Sequence, residues 1–196
     1  GYVLEADYED AVKQPINDGN DEAILQYTFS YADGVTHSLD FYYTPAGDYN
    51  LIDQTGGGYG TPTQEMVESY ELATGGFPDW SEWHSAEGTT ATPPYADLEP
   101  RFHATVLYNG AEWKGRTIEP YINGIDGWAS WRIEREPKGK TTTGYYLKKL
   151  CHGAIDLSSS SKYKTDKHTY VLFRMGGFYL DYAEAVFKYL GGADKT

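Results

Sequence analysis

The chain has a single cysteine, Cys151, so no internal disulfide can form. That does not exclude an extracytoplasmic site, since many secreted proteins lack disulfides. No apolar run is long enough to span a membrane. The first residues show no charged n-region, apolar h-region or cleavage site, so no targeting signal is expected in this stretch. The start at Gly1, without Met, reads as a processed or excised piece of something longer. Positive charge is scarce. There are 16 Lys and Arg against 29 Asp and Glu, a net charge of −13. An acidic surface repels nucleic acid, which is set aside as a partner.

What the chain does have is aromatic side chains: 19 Tyr, 7 Phe and 5 Trp, against 2 Met. Tyr joins an apolar body to a polar tip and suits wet, hydrogen-bonding surfaces. Hydrophobic residues reach 40%, enough for a core. The 196 residues read as a single unit, 1–196, that is part of a larger domain. The charge is uneven. Residues 132–174 hold ten of the basic residues and four acidic ones, a balance of +6, and the rest carries −19. This segment reads as a solvated face, or as a docking face for an acidic partner or the protein's own acidic half.

Several elements follow from local pattern. "LEADYEDAVKQ" (4–14) predicts a short helix with Leu4, Tyr8, Ala11 and Val12 on one face, stopped by Pro15. "AILQYTFSY" (23–31) and "VTHSLDFYY" (35–43) both alternate and flank Asp33-Gly34, which predicts a β-hairpin. His37 falls on its apolar face and reads as a core histidine. Thr61, Pro62 and Gln64 read as N-cap, first helical position and capping-box partner of a helix that Gly75-Gly76 ends. Asn109-Gly110 predicts a tight hairpin turn between "ATVLY" and "EWKGRTI", and "YYLKKL" an extended segment. Residues 172–190 predict an amphipathic helix with Glu184 and Lys188 paired and Gly191 as its end. Its apolar stripe needs a partner.

Motifs for chemistry are thin. The five histidines never fall in H-x-x-x-H or H-E-x-x-H spacing, and "DGNDE" (18–22) lacks the EF-hand Gly and distal Glu. Gly56-Gly57-Gly58 has neither phosphate-loop spacing, and there is no G-x-S-x-G elbow. No cofactor and no metal is expected. Carboxylates are plentiful, so counting alone does not dismiss a glycosidase pair.

Four stretches, in order, carry a resemblance: "GGGYGTPTQEMVESYE" (56–71), "LEPRFHATVLYNGAEWKG" (98–115), "TTGYYLKKL" (142–150) and "FYLDYAEAVFKYLG" (178–191). They resemble successive landmarks of SusD/RagB-like proteins, and "LEADYEDAV" resembles the segment before them. The resemblance implies a mainly α fold with irregular loops and short β-hairpins, the loop-rich part of a SusD-like tetratricopeptide-type helical fold. It implies a lipoprotein on the outer face of the outer membrane of Bacteroidetes. Such proteins bind glycans, or sometimes peptides, and hand them to a SusC-like TonB-dependent transporter; they are typically not enzymes. The chain matches only part of the family's length, and the lipid anchor and most of the helical scaffold are absent from it. In one departure, "RMGGFYLDYAEA" sets two glycines where the last helix should begin. A region that mainly docks the transporter, with ligand contacts elsewhere, is the alternative function; a glycoside hydrolase stands behind both.

The family's ligand contacts lie in variable loops, so none carries over. The loops here hold two W-x-x-W motifs. "FPDWSEWHS" places Trp80 and Trp83 among Asp79, Glu82 and His84, and "DGWASWR" places Trp128 and Trp131 near Asn123, Asp126 and Arg132. A flat ring covers the C–H face of a pyranose while polar groups bond its hydroxyl rim. The same rings can instead staple long loops to the core, and Trp113, inside a landmark, reads as packing. Three-residue spacing lets both rings of a pair act together only on a helical turn. The candidate glycan contacts are therefore Trp80, Trp83, Asp79, His84, Trp128, Trp131, Asn123 and Asp126.

Overall fold

The computed structural model describes residues 1–14, 18–48, 57–86, 93–128, 140–149, 151–155, 157 and 169–192. Where the sequence reads as one unit, the fold groups into two compact ones: residues 1–36 with 166–196, and residues 37–165. No helix among the described residues is long and apolar enough to cross a membrane.

In the first unit, α1 spans Tyr8–Lys13, shorter than the pattern suggests. Asp7 caps it, its carboxylate accepting the Glu9 N–H at 2.7 Å, so Leu4 lies outside the helix and is exposed. Strand β1, Ala23–Thr28, pairs antiparallel with β6, Thr169–Arg174. The expected hairpin is thus not formed. Only a Ser30–Val35 bridge closes around Gly34, whose φ of +72° suits glycine. Helix α6, Met175–Leu190, follows β6 directly, with its predicted Glu184–Lys188 pair and Gly191 at φ +70° ending it.

Asn20 and Glu22 tie this unit together. The Asn20 side chain donates to the carbonyls at the end of α1 and accepts the N–H groups of Glu22 and Ala23 at 3.1 and 3.0 Å. Buried Glu22 accepts from the Glu5 N–H at 2.9 Å, the Gly176 N–H at 3.1 Å and the Arg174 guanidinium. A carboxylate on the first turn of α6 suits the helix dipole and replaces the side-chain cap that Arg174 does not provide. The glycine is explained here: a Cβ at Gly176 would sit 2.7 Å from the Glu22 carboxylate and against Arg174. Burial opposes ionisation of Glu22, but the bonds from Glu5, Arg174 and Gly176 outweigh it and hold its pKa below the usual value. The folded form therefore binds its proton less readily than the unfolded chain. This contribution is complete above the unfolded value of 4.5 and is lost as pH falls through the lower folded value. Thermal melts between about pH 3 and 6 should show that loss. Glu22→Gln should lower stability at neutral pH and flatten the acid limb.

Much of this unit's surface is apolar. Leu25, Tyr27, Leu172 and Phe173 of the ribbon are exposed, and no described residue of α6 is buried. Such an area exceeds scattered surface hydrophobics.

The second unit holds α2 (Leu39–Tyr43), α3 (Gln64–Glu68), α4 (Ser81–Ser85), α5 (Pro100–Thr105) and the short strands β2 (Val106–Leu107), β3 (Glu112–Trp113), β4 (Arg116–Thr117) and β5 (Tyr146–Leu147). Helix α2 occupies the predicted second hairpin arm. Its Asp40 carboxylate is buried and accepts the His152 N–H, 112 positions away. Helix α3 is capped by Thr63 rather than Thr61, its hydroxyl accepting the Met66 N–H at 3.3 Å. It ends at Glu68, so Gly75 and Gly76 shape a later turn, at φ +89° and +79°. Helix α5 starts on Pro100, which needs no N–H there, and its β-branched end passes into β2. Asn109-Gly110 makes a turn, yet β2 pairs with β5, and the hairpin β3–β4 turns at Lys114-Gly115, both at positive φ.

Two apolar clusters hold this unit. One joins Val67, Tyr70, Trp80, Leu98, Phe102 and Tyr145. The other joins Leu107, Trp113, Ile118, Tyr146 and Cys151. Each large side chain buried this way is worth about 1.5–3 kcal/mol. Between the hairpin and the loop 119–128 lies an ionic knot. Arg116 bonds Asp126 through two nitrogens, both at 2.7 Å, and Asp48 at 2.8 Å. Both carboxylates are almost fully buried. Asp126 also accepts the Gly47 and Glu119 N–H groups, both at 2.9 Å, and Asp48 the Trp113 indole at 2.8 Å.

Candidate functional site

The first W-x-x-W motif does make a helical turn. Asp79 accepts the Ser81 N–H at 2.9 Å and starts α4, and hydrogen bonds from the Ser81 backbone and hydroxyl lower its pKa. The two indoles meet edge to face, centroids 6.0 Å apart. Their fates differ. Trp80 is buried, packed on Tyr95, and its N–H has no acceptor among the described residues. Trp83 is half-buried and lines an open cleft of about 690 Å³.

The cleft is walled by Trp83, Tyr95, Tyr108, Tyr121 and Tyr145, with Gln64, Asn109 and Thr143 supplying polar groups. Each ring is placed by something specific. Tyr95 follows Pro93-Pro94 on a 3₁₀ turn, and segment 71–73 pairs with 97–99 beneath it. Tyr95 and Tyr108 both stack on Phe102, centroids 5.7 and 5.0 Å away. Tyr145 follows Gly144 at φ +85°, in a turn where the Thr141 hydroxyl accepts two N–H groups at 3.1 Å. Tyr121 rides on the loop 119–128 and is exposed.

A hydrogen-bonded chain links two of these rings to Gln64 and Glu68. The Tyr95 and Tyr145 hydroxyls are 2.7 Å apart, Tyr145 donates to Gln64 Oε1 at 2.7 Å, and Gln64 Nε2 donates to Glu68 Oε1 at 2.9 Å. His84 Nε2 meets the same Glu68 oxygen at 2.8 Å. Burial raises the pKa of Tyr95 and, more strongly, of Tyr145, so both phenols keep their protons. Burial also lowers the pKa of His103, whose Nδ1 lies 3.3 Å from the Tyr108 hydroxyl.

The remaining candidates fall elsewhere. Asp126 is not a contact: it is fully buried and held by Arg116. Trp128 is half-buried and donates to the Thr141 carbonyl at 2.6 Å, so it props the turn that carries Tyr145. Asn123 is exposed, in a left-handed conformation at φ +67°. Asp79, just before α4, and His84, on it, are exposed. Trp131 and Arg132 lie outside the described residues. Sequence reasoning missed the cleft tyrosines. A signal existed: Tyr95, Tyr121 and Tyr145 each directly follow a Pro or Gly, where a turn presents a side chain.

The described fold is one of short helices and strands joined by long loops. The chain belongs to the SusD family, whose family model matches residues 21–195. Among solved structures it is similar to a SusD-like protein from Bacteroides fragilis, 21% identical, over 96% of this chain and 37% of that one, with a TM-score of 0.66. It is also similar to a SusD-like carbohydrate binding protein from the same species, 17% identical, over 94% and 33%, with a TM-score of 0.66. At these identities the likeness establishes the fold, and the chain spans about a third of the length of these structures. No curated protein matches the sequence.

Proposed function

We propose that this chain is the sugar-contacting region of a non-catalytic surface glycan-binding protein. The whole protein would sit by a lipid anchor on the outer face of the outer membrane and pass oligosaccharides to a SusC-like TonB-dependent transporter. The cleft carries this reading. The rings of Trp83, Tyr95, Tyr108 and Tyr121 line it together with the amides and hydroxyl of Gln64, Asn109 and Thr143. That mix matches the apolar faces and hydroxyl rims of saccharides. A glycosidase needs two carboxyl groups flanking the scissile bond, and the cleft's described lining offers rings and amides in their place.

Affinity electrophoresis against plant and host glycans tests the proposal. Trp83→Ala with Tyr121→Ala should weaken binding by about 30-fold or more, the scale of losing an aromatic hot spot of about 2 kcal/mol. Unchanged retention would remove the cleft from the account. For the docking alternative, the described part of the basic segment includes Lys148. Lys148 donates to the His103 carbonyl at 3.0 Å, so reversing its charge would disturb the fold before any partner.

A further inference from the structure

The cleft's proton arrangement bears on which sugars it can take. A carboxylate only accepts hydrogen bonds. Glu68 therefore fixes the Gln64 amide, whose Nε2 points at it at 2.9 Å. Gln64 Oε1 is then turned toward Tyr145, which must donate to it, at 2.7 Å. With that proton committed, the Tyr145 oxygen accepts, and the Tyr95 hydroxyl 2.7 Å away donates to it. Every proton in the chain points away from Tyr95 and toward Glu68. The phenol pair can offer a ligand lone pairs only.

Two further observations point the same way. None of the cleft's described lining residues is a lysine or arginine. Two carboxylates flank the cleft: Glu68 accepts from Gln64, with His84 already against it, and Glu119 stands near Tyr121, whose pKa burial and that carboxylate raise. An anionic sugar would bring more acceptors to acceptors and lose its hydration shell with no cation among the described lining residues to replace it.

Building on the glycan reading above, we infer that this cleft selects uncharged saccharides, whose hydroxyls donate to the Tyr95–Tyr145 pair. It rejects uronate, sulfated and sialylated ones.

The experiment uses matched oligosaccharides that differ only at C6. Cello-oligosaccharides are set beside β-1,4-glucuronan, and β-1,4-manno-oligosaccharides beside β-1,4-mannuronan, on one array with sulfated and sialylated glycans. Salt is kept at about 0.15 M, where screening beyond about 8 Å removes the effect of overall charge. Neutral members should bind at least about 10-fold more tightly than their anionic counterparts. Tyr145→Phe frees the Tyr95 proton to turn outward, so the neutral-to-anionic ratio should shrink about 3-fold or more. Gln64→Met reads the same release should Tyr145→Phe prove unstable. Tyr95→Phe should weaken neutral binding while anions stay excluded. A merely structural role would not change the ratio. An anionic member that binds as tightly as its neutral partner overturns the inference and leaves the glycan reading standing. So does a ratio that neither Tyr145→Phe nor Gln64→Met changes. Failure of every glycan to bind overturns the glycan reading itself, and the inference with it.

Discussion

Arg116→Ala should cost the second unit about 3–5 kcal/mol, the usual loss when one partner of a buried ion pair is removed. The guanidinium holds Asp126 with two nitrogens and Asp48 with one, and neither carboxylate can reach water. Burial works against the charge on Arg116, yet the two carboxylates outweigh it and raise its pKa. Removing the cation leaves buried Asp126 without its guanidinium and Asp48 with the Lys114 ammonium at 3.6 Å, so the turn Ala46–Asp48 and the loop 119–128 lose their ionic tie. The loss is a large part of a typical domain's 5–15 kcal/mol. With a urea slope of about 1–3 kcal/mol/M, the unfolding midpoint should fall by roughly 2 M. Arg116→Lys keeps the charge but not the fork and should fall between. A shift under about 1 kcal/mol would show that the knot is not what holds this unit.

Gly127→Ala should be nearly as damaging, for a steric reason. A Cβ there would overlap the Tyr121 carbonyl oxygen and come within 2.6 Å of the Tyr121 carbonyl carbon. Backbone cannot rotate away as a side chain can, so the loop must open. A cost of about 3 kcal/mol is expected, at the upper end of overpacking losses. The same loop carries Tyr121 into the cleft and Asp126 onto Arg116. Glycan binding should therefore fall together with stability, which thermal melts and affinity gels on one preparation would show. A variant that melts like the parent but fails to bind would separate the two roles and contradict the coupling.

The family was legible because its landmarks are local. α6, with its Gly191 ending, follows from periodicity and turn chemistry within a dozen residues, whereas residues 95–108 read equally as a short helix or a strand and hold α5. Elements decided at long range were not legible. Residues 35–43 alternate well enough for a strand, but Leu39–Tyr43 form a helix whose Asp40 carboxylate is buried and accepts an N–H 112 positions away. Asp126 looked like a ligand contact because nothing in its neighbourhood announces Arg116 across a hairpin. The W-x-x-W spacing correctly required a helical turn for its two rings to meet. It could not say that meeting would bury Trp80 and leave Trp83 on the rim. The cleft itself draws on positions from Gln64 to Tyr145, scattered over six segments, so only the folded chain collects them.

The most direct measurement is a crystal structure of the chain with the neutral oligosaccharide that binds it best. The account predicts a pyranose face against the Trp83 indole, with hydroxyls on Gln64, Asn109 and the Tyr95–Tyr145 pair. A sugar held elsewhere, with the cleft empty, would contradict it.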